Sequence, residues 1–239
     1  MNGTLDAKLQ RLAGRMLHSE RIANFFYASS LGRFIFFASY SQTGEDALLR
    51  RWLPERTGTY VDVGAGLPIK CSNTYFLYRR GWSGLLIEPN PLAAQALRRV
   101  RKRDQILCSA MANEASTRQF FQFEPYELST TDHEVAFERQ ASGERLLSVK
   151  NVECRRLRDV VPRCSPSEPT LLSIDAEGSD LLILKGNNWN KFLPRVICIE
   201  DPLSSFRTSK IVAYLNSNGY ELEGHTGISA VFVHRDFER

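Results

Sequence analysis

Three short apolar runs in this sequence stop abruptly on acids. Gly84-Leu85-Leu86-Ile87 ends at Glu88, Leu171-Leu172-Ser173-Ile174 at Asp175-Ala176-Glu177-Gly178, and Val196-Ile197-Cys198-Ile199 at Glu200-Asp201. A fourth run, Thr59 to Val63, stops instead on Gly64-Ala65-Gly66. In open parallel sheets ligands bind beyond the carboxyl ends of the strands, so these acids and glycines are expected to share one crevice. Carboxylates placed there have three uses. Asp175 or Glu200 can take the proton of an acceptor hydroxyl as a general base. Asp175, Glu200 and Asp201 can hold a divalent cation through oxygen and so acidify a sugar diol. Or the acids simply cap the helices that follow, Asp175 before Gly178 to Lys185. His225, between Tyr220-Glu221-Leu222 and Val231-Phe232-Val233, is a second candidate base, because imidazole titrates near neutrality. It is also a lone loop histidine, a common and inert feature.

Glu88 has a more specific reading. An acid about 20 residues beyond a glycine turn, at the end of the neighbouring strand, is placed to accept hydrogen bonds from a ribose diol. Gly64 and Gly66 let the backbone turn tightly beneath such a ligand. The third glycine of a dinucleotide site is missing, however: Ile69 stands there, preceded by Pro68. The helix therefore starts late, at Ser72 or Asn73, and the longer loop suits a nucleoside with a zwitterionic tail better than a pyrophosphate. S-adenosylmethionine is such a ligand. Ser109-Ala110 could let an adenine ring lie flat or could simply turn the chain. Gln42, just before the first strand, stands near the expected ligand.

Behind these residues lie the elements that must hold them. Strand, glycine loop, helix, strand and acid over residues 58–90 make one mononucleotide-binding βαβ unit. Asn90 caps a helix beginning at Pro91, and Gln105 to Cys108 is a third strand. Ser41-Gln42-Thr43-Gly44-Glu45-Asp46 reads as a capping box before a helix from Ala47 to Leu53. Thr117 to Glu124 and Leu146 to Val152 alternate as strands. The polar, aperiodic residues 126–144 between them are expected to be a substrate loop or lid. Residues 4–27 read as an amphipathic helix, followed by Phe34-Ile35-Phe36-Phe37.

Composition sets the limits. The 239 residues suffice for one α/β domain with an appended segment, and 43% hydrophobic content is ordinary for a packed core. The formal charge of +4 is concentrated in Arg98-Arg99 with Arg101-Lys102-Arg103 and in Arg155-Arg156 with Arg158. Without interleaved aromatic platforms these read as solvated helix faces, and no nucleic-acid partner is expected. The five scattered cysteines show no zinc or redox spacing, which suggests a reducing compartment. No signal peptide or membrane span is visible, so a cytoplasmic location is expected, with peripheral membrane contact and a homodimer left open.

Seven ordered segments carry a resemblance: residues 41–46, Tyr60 to Ala65, Ser72-Asn73-Thr74, Gly81-Trp82-Ser83-Gly84, Ile87 to Asn90, Ser173 to Gly178 and Ile199-Glu200. In this order they resemble the FkbM family of S-adenosylmethionine-dependent methyltransferases. The resemblance implies a Rossmann-like class I methyltransferase fold, a mostly parallel seven-stranded sheet with an antiparallel last strand. It implies methyl transfer to a hydroxyl, with Asp62, Gly64, Asn73, Glu88 and Asp175 around the cofactor. Joined to the residues argued above, the expected cofactor site is Gln42, Asp62, Gly64, Gly66, Asn73, Thr74, Glu88, Asn90, Ser109, Ala110 and Asp175. Asp62 is expected to face the methionine amine or a loop amide. Residues 1–40 form a helical N-terminal extension in this reading, and 41–239 the methyltransferase domain with 117–152 as an acceptor-side insertion. The preferred acceptor is a sugar hydroxyl of a glycan or glycolipid precursor. Two rival functions are an NAD-dependent oxidoreductase or epimerase, disfavoured by the missing glycine, and a noncatalytic binding module.

Overall fold

The computed structural model describes residues 39–165, 167–202 and 209–237. The helix expected over residues 4–27 and the aromatic run at 34–37 lie outside them.

Seven strands form the main sheet. They are β1 (Thr59–Val63), β2 (Ser83–Ile87), β3 (Gln105–Leu107), β7 (Thr170–Ile174), β8 (Val196–Glu200), β9 (Tyr220–His225) and β10 (Ser229–His234). Their order across the sheet is β3-β2-β1-β7-β8-β10-β9. The first five are parallel, and β10 runs antiparallel to both β8 and β9. A second sheet, β4-β6-β5, is built from β4 (Ala110–Ala112), β5 (Ser116–Glu124) and β6 (Arg145–Arg156).

Period-two alternation assigns each side chain to a face. Along β1, Val61 and Val63 enter one apolar cluster with Leu172, Ile174, Ile197 and Ile199, while Tyr60 enters the opposite one with Leu86, Leu171, Val196 and Cys198. Both faces are covered, so the central strands are largely apolar, as buried parallel strands are, with Asp62 and Ser173 as polar exceptions. Each fully buried leucine or isoleucine contributes about 1.5–3 kcal/mol of transfer free energy. Asp62 falls on the same face as Tyr60, and this parity decides its partners.

The helices are short, and three of those described carry a side-chain N-cap. The first helix, α1 (Glu45–Leu49), begins after Gly44, whereas α2 (Tyr75–Arg79) begins two to three residues later than expected. Ser72 still serves it, accepting the Tyr75 N–H at 3.2 Å. The longer α3 (Pro91–Val100) is capped by the Asn90 side chain and has Pro91 in its first turn, as expected. Between β5 and β6 the chain forms a 3-10 turn (Tyr126–Leu128) and α4 (His133–Ala141), where the sequence shows no period. A capping side chain compensates for that missing pattern: Asp132 accepts from both Glu134 N and Val135 N, and only Ala136 of the helix is buried. The remaining helices are α5 (Leu157–Val160), α6 (Asp180–Lys185) and α7 (Lys210–Ser217).

One charged run behaves unlike its expectation. Arg101, read as part of a solvated face, is fully buried. Its guanidinium pairs with Asp104 at 2.8 Å and donates to Tyr60 Oη, Thr74 Oγ1 and the Pro68 carbonyl. It also lies within 5.6 Å of the ring centres of Tyr60, Tyr75 and Tyr78.

Candidate active site

Register brings the chemistry together. Val63 pairs with both Ile87 and Ile174, and Ile174 pairs with Ile199. The next residue on each chain is Gly64, Glu88, Asp175 and Glu200, so glycine and acids emerge at one level beyond four adjacent strands. Gly64 has to be a glycine: at φ +79° its Cβ would stand 1.8 Å from the Asp175 carbonyl oxygen. The two strand ends are in backbone contact there, closed by Asp175 N–H donating to the Val63 carbonyl.

Above this level lies a cavity of about 830 Å³ including its open mouth. On one side it is lined by Gln42, Gly64, Gly66, Glu88, Ser109 and Ala110, on the other by Asp175, Glu177 and Ser179. Six of the expected cofactor residues are therefore on the first wall, and Asp175 is on the second. Glu88 is 1% exposed. Its Oε1 accepts from Asn90 N–H at 2.7 Å and from the Tyr126 hydroxyl, and its Oε2 accepts from Gly66 N–H at 3.0 Å. Burial pushes its pKa up and the three donors oppose that shift.

Four expected cofactor residues are not on the wall. Asp62, on the Tyr60 face, accepts the Thr74 hydroxyl at 2.7 Å, and burial raises its pKa against the pull of Thr74 and Arg101. Thr74 is thereby occupied as well. The Asn73 amide donates to Ser173 Oγ at 3.3 Å, and the Asn90 side chain is spent capping α3. These residues hold the wall from behind.

The acids facing the cofactor wall form one cluster. Asp175, Glu177 and Glu200 each offer an oxygen within 4.8 Å of the others. Burial, then repulsion from neighbouring acids, raises two of them, Asp175 well above the carboxylate range and Glu200 to about 9. Glu177 is raised by burial and drawn back by its ion pair with Arg139. Carboxyls raised in this way and this close together titrate as a group, each one's proton affinity depending on its neighbours. The third acid is Glu177, where the sequence pointed to Asp201. The Asp201 carboxylate accepts the hydroxyl of Ser209, itself the cap of α7.

His225 is not part of this site. Its Nδ1 accepts the Gly227 N–H at 2.8 Å and its Nε2 meets the Asp201 carbonyl at 2.6 Å, which fixes an Nε2-protonated ring across the β9–β10 turn. With both nitrogens engaged it has no free lone pair to act as a base. The expected capping box at 41–46 is likewise a fastener: Glu45 accepts Thr226 Oγ1 and Ser229 Oγ, tying α1 to that same turn. Burial would raise the Glu45 pKa, but the hydrogen bonds from Thr43 hold it below the usual range.

The segment read as a loop supplies the site's roof. Thr130 Oγ1 donates to the Glu177 carbonyl at 2.7 Å, Thr131 and Ser179 hydroxyls meet at 3.1 Å, and Arg139 joins Glu177 to the Leu128 carbonyl. Tyr126, Glu127, Ser129, Thr130 and Thr131 all line the cavity. The sequence located this region by its polarity but could not name these residues, because their contacts are made to a strand end some 50 residues away.

Strand order, the antiparallel last strand and a crevice over the aligned carboxyl ends together define a Rossmann-like methyltransferase domain. The FkbM methyltransferase domain profile matches residues 62–222, more than half of the chain, and the chain belongs to that family. No curated protein matches it. Among solved structures it is similar to a precorrin-6y C5,15-methyltransferase from Geobacter metallireducens GS-15, at 13% identity, with 80% of this chain and 87% of that one covered and a TM-score of 0.43. A TehB-like SAM-dependent methyltransferase from Corynebacterium glutamicum shows 14% identity, coverage of 91% and 98%, and a TM-score of 0.42. The glycopeptide N-methyltransferase MtfA complexed with sinefungin shows 10% identity, coverage of 82% and 86%, and a TM-score of 0.38. Among the described residues no helix is long and apolar enough to cross a membrane.

Proposed function

We propose that this FkbM-family methyltransferase uses S-adenosylmethionine to methylate a hydroxyl, that of a sugar in a glycan or glycolipid precursor. The observation that carries the reading is the common level of Gly64, Glu88, Asp175 and Glu200. Glu88 is the polar group for a ribose, and Gly66, whose Cβ would meet nothing closer than 3.7 Å, lets a ligand approach the loop. When bound, S-adenosylmethionine supplies an electrophilic methyl on a cationic sulfonium. A bound sulfonium cation favours the ionised form of the facing carboxyls Asp175 and Glu200, and once ionised either can accept the acceptor's proton. Ser129, Thr130, Thr131, Ser179 and Glu127 give the roof a set of hydroxyls and a carboxylate suited to a polyhydroxylated acceptor. Family membership sets aside the oxidoreductase reading.

The test is transfer of labelled methyl to a panel of glycans and small alcohols by wild-type, Glu88→Ala and Asp175→Asn proteins. Wild type should label at least one hydroxyl compound. Glu88→Ala should lose cofactor binding, while Asp175→Asn should keep binding and lose about 100-fold or more in kcat. Unchanged activity in Asp175→Asn would remove Asp175 from the chemistry, and wild type that binds cofactor but labels nothing would leave only a binding role for the fold. Chelation decides a second reading, suggested by the three oxygens within 4.8 Å. Activity that survives chelator keeps proton transfer as the role of the cluster, and activity lost and restored by magnesium or manganese makes it a cation site.

A further inference from the structure

Glu88 already holds three donors, and a ribose diol would bring two more. A carboxylate offers about four lone-pair positions. Asn90 N–H and the Tyr126 hydroxyl occupy Oε1, and Gly66 N–H occupies Oε2, so one position is left. One donor has to leave for the diol to bind through both hydroxyls.

Two of the three cannot leave cheaply. Gly66 follows Gly64 and Ala65, whose N–H groups both donate to the Ile87 carbonyl, so its amide is set by the loop. Asn90 is held as the cap of α3 by its side-chain bond to Leu92 N–H. Tyr126 is a rotatable side chain on a 3-10 turn within the roof. Its ring also covers the glycine loop: Tyr126 Cε1 lies 3.9 Å from where a Gly66 Cβ would stand. Both the hydroxyl and the ring therefore take up space that a nucleoside against Gly66 and Glu88 would need.

We infer that Tyr126 competes with the cofactor for Glu88, its hydroxyl satisfying the buried carboxylate until the ribose displaces it. This inference rests on the nucleoside-site reading above. The exchange keeps a third donor on the buried carboxylate before the ribose arrives, beside the fixed Asn90 and Gly66 N–H groups. It also links cofactor arrival to the roof, because the chain that carries Tyr126 is bonded to Glu177 through Thr130 and Arg139. Tyr126 is thus a residue that lowers cofactor affinity, although it lines the cofactor's own cavity.

The experiment is calorimetric titration of the full-length protein with S-adenosylmethionine and with sinefungin, for wild type, Tyr126→Phe and Glu88→Ala. Loss of the phenol hydroxyl alone should tighten binding about 10-fold, the worth of one hydrogen bond to a charged group. Equal or weaker binding by Tyr126→Phe, with Glu88→Ala still abolishing binding, would overturn the competition and leave Tyr126 as an ordinary contact. Wild-type binding that is absent, or indifferent to Glu88→Ala, would overturn the nucleoside-site reading itself and the competition with it. Hydrogen exchange covers the case of a poorly folded Phe variant. In the wild type, amides 126–130 should exchange faster when S-adenosylmethionine is added, and unchanged or slower exchange counts against displacement.

Discussion

Two buried charge clusters lie in this domain, and they are solved in opposite ways. Beneath the glycine loop, Arg101 is matched by Asp104 and surrounded by Tyr60, Thr74, Ser72 and three aromatic faces. Asp104 in turn accepts the Tyr60 hydroxyl and the Gly84 N–H. Every charge and donor there has a partner. Above the strand ends lie Asp175, Glu177 and Glu200, and of these three acids only Glu177 is in an ion pair, with Arg139, among the described residues. The first arrangement joins α3, β1, β2 and the loop into one piece. The second leaves carboxyls that hold protons where free carboxylates would not, which is the condition for acid–base work. Completed pairing builds structure, and deliberate under-pairing builds a site.

The sharpest way to break this contrast is Arg101→Met. Removing one partner of a buried pair strands the other, here Asp104, and should cost about 3–5 kcal/mol. Denaturant unfolding would show it, and a variant as stable as wild type would remove the structural half of the contrast. Glu200→Gln tests the other half with the opposite sign. A carboxyl whose folded pKa is about 9, against an ordinary 4.5, binds more protons folded than unfolded through that window. Stability is therefore lost as pH rises through it, and Glu200→Gln should be more stable than wild type at pH 8, by on the order of 1 kcal/mol, and hardly changed near pH 4. Thermal melts across pH measure this, and a stabilisation larger at acid pH would contradict it. Arg145→Ala sets the baseline: its ion pair with Glu124 leaves the two side chains 75% and 57% exposed, and its loss should move stability by no more than about 0.5 kcal/mol. A larger loss would show that pairing, rather than burial, governs these clusters.

Much of this was legible from residue order. The runs at 59–63, 84–87, 171–174 and 196–199 are apolar and β-branched, so they could only be buried strands, and the acids after them had to meet beyond the sheet. What eluded the sequence was every property set by a distant neighbour. Arg101 looks solvated among Arg98, Arg99, Lys102 and Arg103, and its burial depends on Tyr60, Thr74 and Asp104 closing around it. Asp62 sits in the motif expected at a cofactor, yet strand parity turns it to Thr74. Glu177 and Asp201 each follow an acid at a strand end by one or two residues. Only the turn at Gly178, where an added Cβ would lie 2.8 Å from Val135, brings Glu177 under the roof, while Ser209 takes Asp201. His225 was plausible by type and was excluded by the two backbone groups it serves.

The position of β10 has a consequence for how the protein is made. It is the last of the sheet's described strands in chain order, yet it lies inside the sheet, between β8 and β9. Until residues 229–234 leave the ribosome, β8 has a bare flank beside Glu200, and β9 has no place to attach. Asp175, Glu177 and Glu200 thus emerge well before the strand that covers the flank of β8, and this half of the sheet is completed by an insertion rather than by an addition at its edge.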